Sequence, residues 1–148
     1  MQKKIKILIP FFALFSFSVF VLKGQTNSDW QPIYLLVTGG NIIDGVEASF
    51  QLNTCNGEDI VYIKFVNHTA KSVKLEWFDA VFTQEIKWIN KDKADDKKSL
   101  VLGANAEEKG SCLMDSPTVL TIKLKDFVED KKNFKRYSAS RLKISIVQ

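Results

Sequence analysis

The sequence predicts an all-β fold, an antiparallel β-sandwich, preceded by a signal peptide. Three observations carry that reading. Apolar residues alternate with a period of two in several short stretches, Asn and Gly punctuate the gaps between them, and no segment sustains a helical period. At 148 residues, 45% hydrophobic and 26% charged, the chain suits one domain with its own core, and no repeat or linker divides it.

Residues 1–24 read as a leader. Lys3, Lys4 and Lys6 precede an uncharged, Phe-rich run from Ile7 to Leu22, after which Lys23, Gly24 and Gln25 restore polarity. Pro10 inside the run disfavours a regular spanning helix, so a signal peptide cut after Gly24 is expected, with an uncleaved anchor as the alternative. The domain then occupies residues 25–148 in the periplasm, at the cell surface or outside the cell. The leader also accounts for the charge. The chain carries +4 formally, yet beyond Gly24 17 basic residues face 17 acidic ones, and no global field remains to attract nucleic acid. Contact with a membrane is expected only through an uncleaved leader.

Within the domain, Ile33 to Val37 is an apolar run bounded by Pro32 and Gly39-Gly40, suggesting a first strand. Val46, Ala48, Phe50 and Leu52 alternate with polar residues, and Asn56-Gly57 supplies a two-residue hairpin signal. That turn would set Leu52 opposite Val61, Phe50 opposite Ile63 and Ala48 opposite Phe65, bringing two apolar sets to one face. After a turn at 67–70, Val73, Leu75 and Trp77 continue the alternation. Beyond Trp77 the apolar residues move to even positions, Phe78, Ala80, Phe82, Ile86 and Trp88, and since a flat strand would expose one of the two sets, a bulge or corner is expected near 78–80, where the chain bends or passes to a second sheet. The segment 91–98 reads as a charged loop, Leu100 to Leu102 as a short apolar piece, and the polar stretch up to Gly110 as connection. Leu120, Ile122 and Leu124 then point inward from one strand, and Leu142, Ile144 and Ile146 from the last. Between those two, 126–141 is the one segment of helical character, weakened by Asn133 and Ser138-Ala139-Ser140.

Cys55 and Cys112, with no CxxC spacing, are expected to form one disulfide in an oxidising compartment. Antibody-type spacing is absent: Trp77 lies 22 residues beyond Cys55, and Gly110 stands where a tyrosine is expected. The bridge is therefore placed at the rim, joining the Asn56-Gly57 hairpin end to Gly110-Ser111-Cys112. The stretch from Ile63 through Asn67-His68-Thr69 to Trp77 resembles a hairpin of small exported bacterial immunoglobulin-like sandwich domains of unassigned function. The resemblance covers about 15 residues, implies that the sandwich is immunoglobulin-like, and transfers no binding residue.

Few reactive constellations are available. His68 is the single histidine, and its turn position is explained by loop polarity. One histidine and two bridged cysteines leave no ordinary zinc set. Asp92, Asp95 and Asp96 lack the order of a calcium loop and are flanked by lysines. No metal and no cofactor are expected. Asp44, Glu47, Glu58, Asp59 and Asp79 could supply a glycosidase-like carboxylate pair, but their spacing selects none. Asn67-His68-Thr69 matches a glycosylation acceptor and is read as chance. Candidate ligand or partner contacts are Trp30, Phe78, Lys131, Lys132, Phe134, Lys135, Arg136 and Tyr137: a basic, aromatic cluster together with Phe78 and the unplaced Trp30, the better candidates for exposed aromatics because Trp77 and Trp88 have the parity of core residues. The functional expectation is a non-enzymatic exported module that recognises an envelope or extracellular protein or glycan, or that builds the envelope. A carbohydrate-binding module and a small envelope hydrolase are the alternatives.

Overall fold

The computed structural model describes residues 29–35 and 40–147. The expected leader and expected cleavage point lie outside the described residues, as do 36 and 37 of the expected first strand. In chain order the strands are β1 (Gln31–Pro32), β2 (Ile42–Ile43), β3 (Val46–Cys55), β4 (Glu58–Asn67), β5 (Val73–Thr83), β6 (Trp88–Asn90), β7 (Lys98–Leu102), β8 (Glu107–Lys109), β9 (Thr121–Lys123) and β10 (Phe134–Ile146). Sheet 1 is built on the β3–β4 hairpin, with β1 and β2 along β3 and β8 and β9 along β4; sheet 2 is built on β5, with β10 on one side and β6 and β7 on the other. Every pairing is antiparallel. Among the described residues no helix is long and apolar enough to cross a membrane.

The first hairpin forms as its turn chemistry requires. Asn56 and Gly57 have φ of 51° and 80°, the left-handed pair of a type I′ turn, and Leu52, Phe50 and Ala48 face Val61, Ile63 and Phe65. A second turn of the same kind joins β2 to β3, with Asp44 and Gly45 at 48° and 76° between the partners Ile43 and Val46. Aspartate and glycine tolerate this backbone, and Asp44 thus serves a turn.

The two sheets close on each other through aromatic rings. Phe65 of sheet 1 meets Trp77 of sheet 2 edge to face at 5.1 Å, and Phe50 packs against Tyr137 at 6.2 Å and Phe134 at 6.0 Å. Around them Val46, Val61 and Ile63 are buried against Leu75, Val81 and Leu102. Leu120, Ile122 and Leu124 all point into the core as their alternation predicts, although only Thr121–Lys123 forms a ladder.

Three expectations are corrected. The bulge is not in β5: Val73, Leu75, Trp77, Asp79, Val81 and Thr83 stay buried on one face, and Phe78 and Phe82 lie on the other. The irregularities sit in β10, where the register shifts between Phe134 and Arg136 and again between Ser140 and Lys143, each time by one extra residue. Those shifts carry the inward set from Phe134 to Tyr137 and Ala139 and then to Leu142 and Ile144. Two changes of parity erase the period-two pattern, which is why 134–141 reads as helical although it is strand. Finally, the polar stretch before Gly110 contains β8, whose exposed Glu107, Glu108 and Lys109 are edge residues with no apolar pattern to betray them.

The disulfide joins Cys55, at the end of β3, to Cys112, between β8 and β9, with Cα atoms 5.6 Å apart. It sits at the rim beside the Asn56-Gly57 turn. Gly110 is there for space: a Cβ on it would lie 2.2 Å from the Leu120 carbonyl oxygen, where two backbones cross.

A polar network lies inside sheet 2. Tyr137 donates its hydroxyl proton to Asp79 Oδ1 at 2.7 Å, and Trp77 Nε1 lies 3.3 Å from the same oxygen and 3.2 Å from the Tyr137 oxygen. Lys98 closes the other carboxylate oxygen at 2.8 Å and also donates to the Thr121 carbonyl at 3.3 Å, linking sheet 2 to β9 of sheet 1. Burial, followed by the charge of Asp79, raises the Tyr137 phenol well above its ordinary range.

Removing one partner of a buried ion pair leaves the other uncompensated. Asp79→Asn is therefore expected to lower unfolding free energy by about 3 kcal/mol, read as a shift of the urea midpoint at constant slope. Lys98→Met in the same chain should return part of that loss. Reduction of the disulfide, whose ends are 57 residues apart, is expected to cost up to about 4 kcal/mol by freeing the unfolded chain, checked by melts with and without reductant.

Candidate functional site

Because β5 keeps one parity throughout, its even residues form the outer face of sheet 2. Phe82 lies between Trp88 of β6 and Arg136 of β10, Ala80 between Asn90 and Ser138, and Phe78 opposite Ser140. The face therefore runs in rows: an aromatic and cationic row, a row of small side chains, and a second aromatic position. Ala80 and Ser138 are 1% and 4% exposed although they point away from the core, so their taller neighbours overhang them.

The rings of Phe82 and Trp88 have centroids 4.9 Å apart and are tilted by 50°. The Arg136 guanidinium carbon stands 4.6 Å from the Phe82 centroid and 5.4 Å from that of Trp88, and Lys135 Nζ is 5.6 Å from Phe82. Across the row of small residues, the Arg141 guanidinium lies 5.7 Å from Phe78 and pairs with Asp92 at 3.2 Å. Lys135 and Arg141 fall within the two register shifts of β10, and Arg141 has a φ of 53°, so the bulges present these cations. Arg136 Nε is buried and has no hydrogen-bond acceptor among the described residues. Among the described residues no carboxylate pairs with Lys135 or Arg136.

The structure divides the predicted contact residues. Phe78, Lys135 and Arg136 share the outer face. Lys131 is held by Asp59 at 2.7 Å at the hairpin end of sheet 1, and Lys132 is exposed in the turn before β10. Trp30, half-buried, lies under Lys64 Nζ at 5.0 Å beside sheet 1. Phe134 faces inward against Phe50, and Tyr137, 1% exposed, belongs to the core and has no surface to offer a partner. Trp88 and Phe82, read as core residues, are outside. Their signal was the unbroken odd parity from Val73 to Thr83, which the size of the even residues obscured.

The acidic residues are spent on the fold. Glu58 takes Lys123 at 2.8 Å and also Lys125, and these two, Lys123 first, hold its carboxyl down at about 2. Lys131 lowers Asp59 in the same way, with help from the Thr54 hydroxyl. Lys97 and then Lys74 lower Glu76. Glu47 lies 3.1 Å from His68 in its exposed turn. Asp79 lines an open cleft of about 550 Å³ in which four lysines meet four aspartates, so the lining selects no charge. Among the described residues no three His, Cys, Asp or Glu side chains gather as a metal would require. Asn67, whose triplet matches a glycosylation acceptor, is 1% exposed and gives both amide protons to the carbonyls of Lys71 and Gly103.

Fold and surface together define a small disulfide-bridged β-sandwich domain with an aromatic and cationic sheet face. No family model matches the chain, and no curated protein matches it. Among solved structures, it is similar to a DUF1425 family member from Shewanella sp. pv-4, with 12% identity and a TM-score of 0.39 over 70% of this chain and 77% of that one.

A carboxylate held down in the folded state stabilises above its ordinary pKa, and that contribution vanishes as pH falls through the folded value. The Glu58 contribution is thus present above pH 4.5 and lost toward about pH 2. Glu58→Gln is expected to flatten that part of the acid limb, checked by urea melts between those limits.

Proposed function

We propose that this chain is an exported, non-enzymatic module of immunoglobulin-like type that works by surface recognition, with the outer face of sheet 2 as its recognition face. The observation that carries the reading is the Arg136 guanidinium set against Phe82 and Trp88, with Lys135 beside it and no carboxylate paired to either cation among the described residues. Arginine and tryptophan at the centre of a patch supply much of the energy in protein interfaces. A partner laid there would desolvate a surface that is already ordered by a β-ladder, at small entropic cost. Export is supported by the basic start, the apolar run and the single bridge. A carbohydrate-binding module is less well supported, because the tilted Phe82 and Trp88 rings do not make a coplanar platform.

The test is photo-crosslinking in the producing cell. An ultraviolet-reactive residue at Ser140 or Lys143 is expected to trap a discrete adduct in the envelope or medium, while one at Glu107 on β8 traps none. Intact mass of the same material should begin near Gln25 and fall by two hydrogens relative to the reduced chain. No adduct at either outer-face position would end the recognition reading.

A further inference from the structure

Resting on the recognition reading above, we infer that the outer face of sheet 2 docks an acidic polypeptide segment, one of whose carboxylates is taken by Arg136. The pairing of charges across the domain points to this occupant. Glu58 holds Lys123 and Lys125, Asp59 holds Lys131, Glu76 holds Lys74 and Lys97, and Asp79 holds Lys98. On the face itself Arg141 has Asp92. Lys64, Lys71, Lys93, Lys132 and Lys143 also lack a carboxylate among the described residues, but Lys135 and Arg136 are the unpaired cations that share one ring, both within 6 Å of the Phe82 centroid.

The chemistry of the guanidinium narrows the choice further. Contact with the faces of Phe82 and Trp88 holds Arg136 and leaves its terminal nitrogens as the polar groups on offer. Nε itself is buried beneath the domain's own atoms, so an incoming acceptor meets the two terminal nitrogens of the guanidinium. A carboxylate answers a guanidinium fork with two oxygens in one plane, which lysine cannot match. Sugar rings would need a free, coplanar aromatic surface, but two cations already stand over Phe82 and the neighbouring ring is tilted by 50°. Phe78 and Phe82, both half-buried on this face, give an apolar side chain of the same segment a surface to rest on. The ligand class is therefore a chain that alternates acidic and apolar residues.

The experiment uses the exported, disulfide-bonded domain and a fluorescein-labelled peptide of alternating Glu and Leu, with the matching Gln and Leu peptide as control, read by anisotropy. The Glu peptide is expected to bind, more weakly as salt is raised, and the Gln peptide not to bind. Arg136→Gln should weaken binding roughly tenfold, and Arg136→Lys should restore only part of it, since the charge returns without the fork. Lys135→Gln, at an exposed position, should weaken binding roughly threefold and serves if the Arg136 variants do not fold. Circular dichroism and melting of each variant check the fold. Equal binding of the two peptides, unchanged affinity in the folded Arg136→Gln chain, or binding only to heparin or to phosphatidylglycerol vesicles would overturn the inference. Crosslinks at Ser140 or Lys143 without any binding of the Glu peptide would leave a recognition face and remove its acidic occupant. Loss of both would remove the face as well.

Discussion

A carboxylate buried between two sheets must be neutralised or the sheets cannot close over it, and Asp79 imposes that condition on this domain. Its two oxygens are answered by three different strands. Trp77 comes from two residues earlier on β5, Tyr137 from β10 and Lys98 from β7, and Lys98 reaches on to the Thr121 carbonyl of the opposite sheet. Each partner can meet the carboxylate only if its strand is in register. The network thus sets the alignment of β10 and β7 on β5, while the aromatic contacts between Phe65 and Trp77 and between Phe50 and Tyr137 supply the apolar closure. A polar group demands particular partners in particular places, whereas apolar packing accepts several arrangements.

The outer face follows from that alignment. With Asp79 turned inward, the residues on either side of it, Phe78 and Ala80, must turn outward, and Phe82 and its cross-strand neighbour Trp88 go with them. β10 is the long edge of sheet 2, and a flat edge of thirteen residues would invite uncontrolled pairing. Its two bulges interrupt that edge with Lys135 and Arg141, and the same two interruptions bring cations over Phe82 and Phe78. Protection of the edge and the making of a charged aromatic face are one structural event.

The legible parts were those in which local chemistry and burial agree. Asn56-Gly57 sets a turn whose register also matches two apolar alternations, so residue-by-residue pairing of β3 with β4 could be read directly. Leu120, Ile122 and Leu124 were legible for the same reason. Where the two signals conflict, size misleads: Phe78, Phe82 and Trp88 are large enough to look like core, and Asp79 polar enough to look like surface, yet the ladder places them the other way. β10 was hidden because each bulge resets parity, and β8 because a charged edge strand has no apolar period. Of the face, Phe78, Lys135 and Arg136 could be named from the chain, and Trp88 and Arg141's place over Phe78 could not.

The sequence by itself determined the class of fold, the first hairpin and its register, the rim position of the disulfide, and the near-balance of charge beyond residue 24. These depend on neighbours along the chain, on turn residues with a required φ and on composition, all local quantities. Only the tertiary structure decided which face of β5 is inside, that Tyr137 and Lys98 serve Asp79, and that Arg136 stands over Phe82 and Trp88. Those facts join residues some 20 to 60 positions apart, through hydrogen bonds and ring contacts that exist only once strands lie side by side.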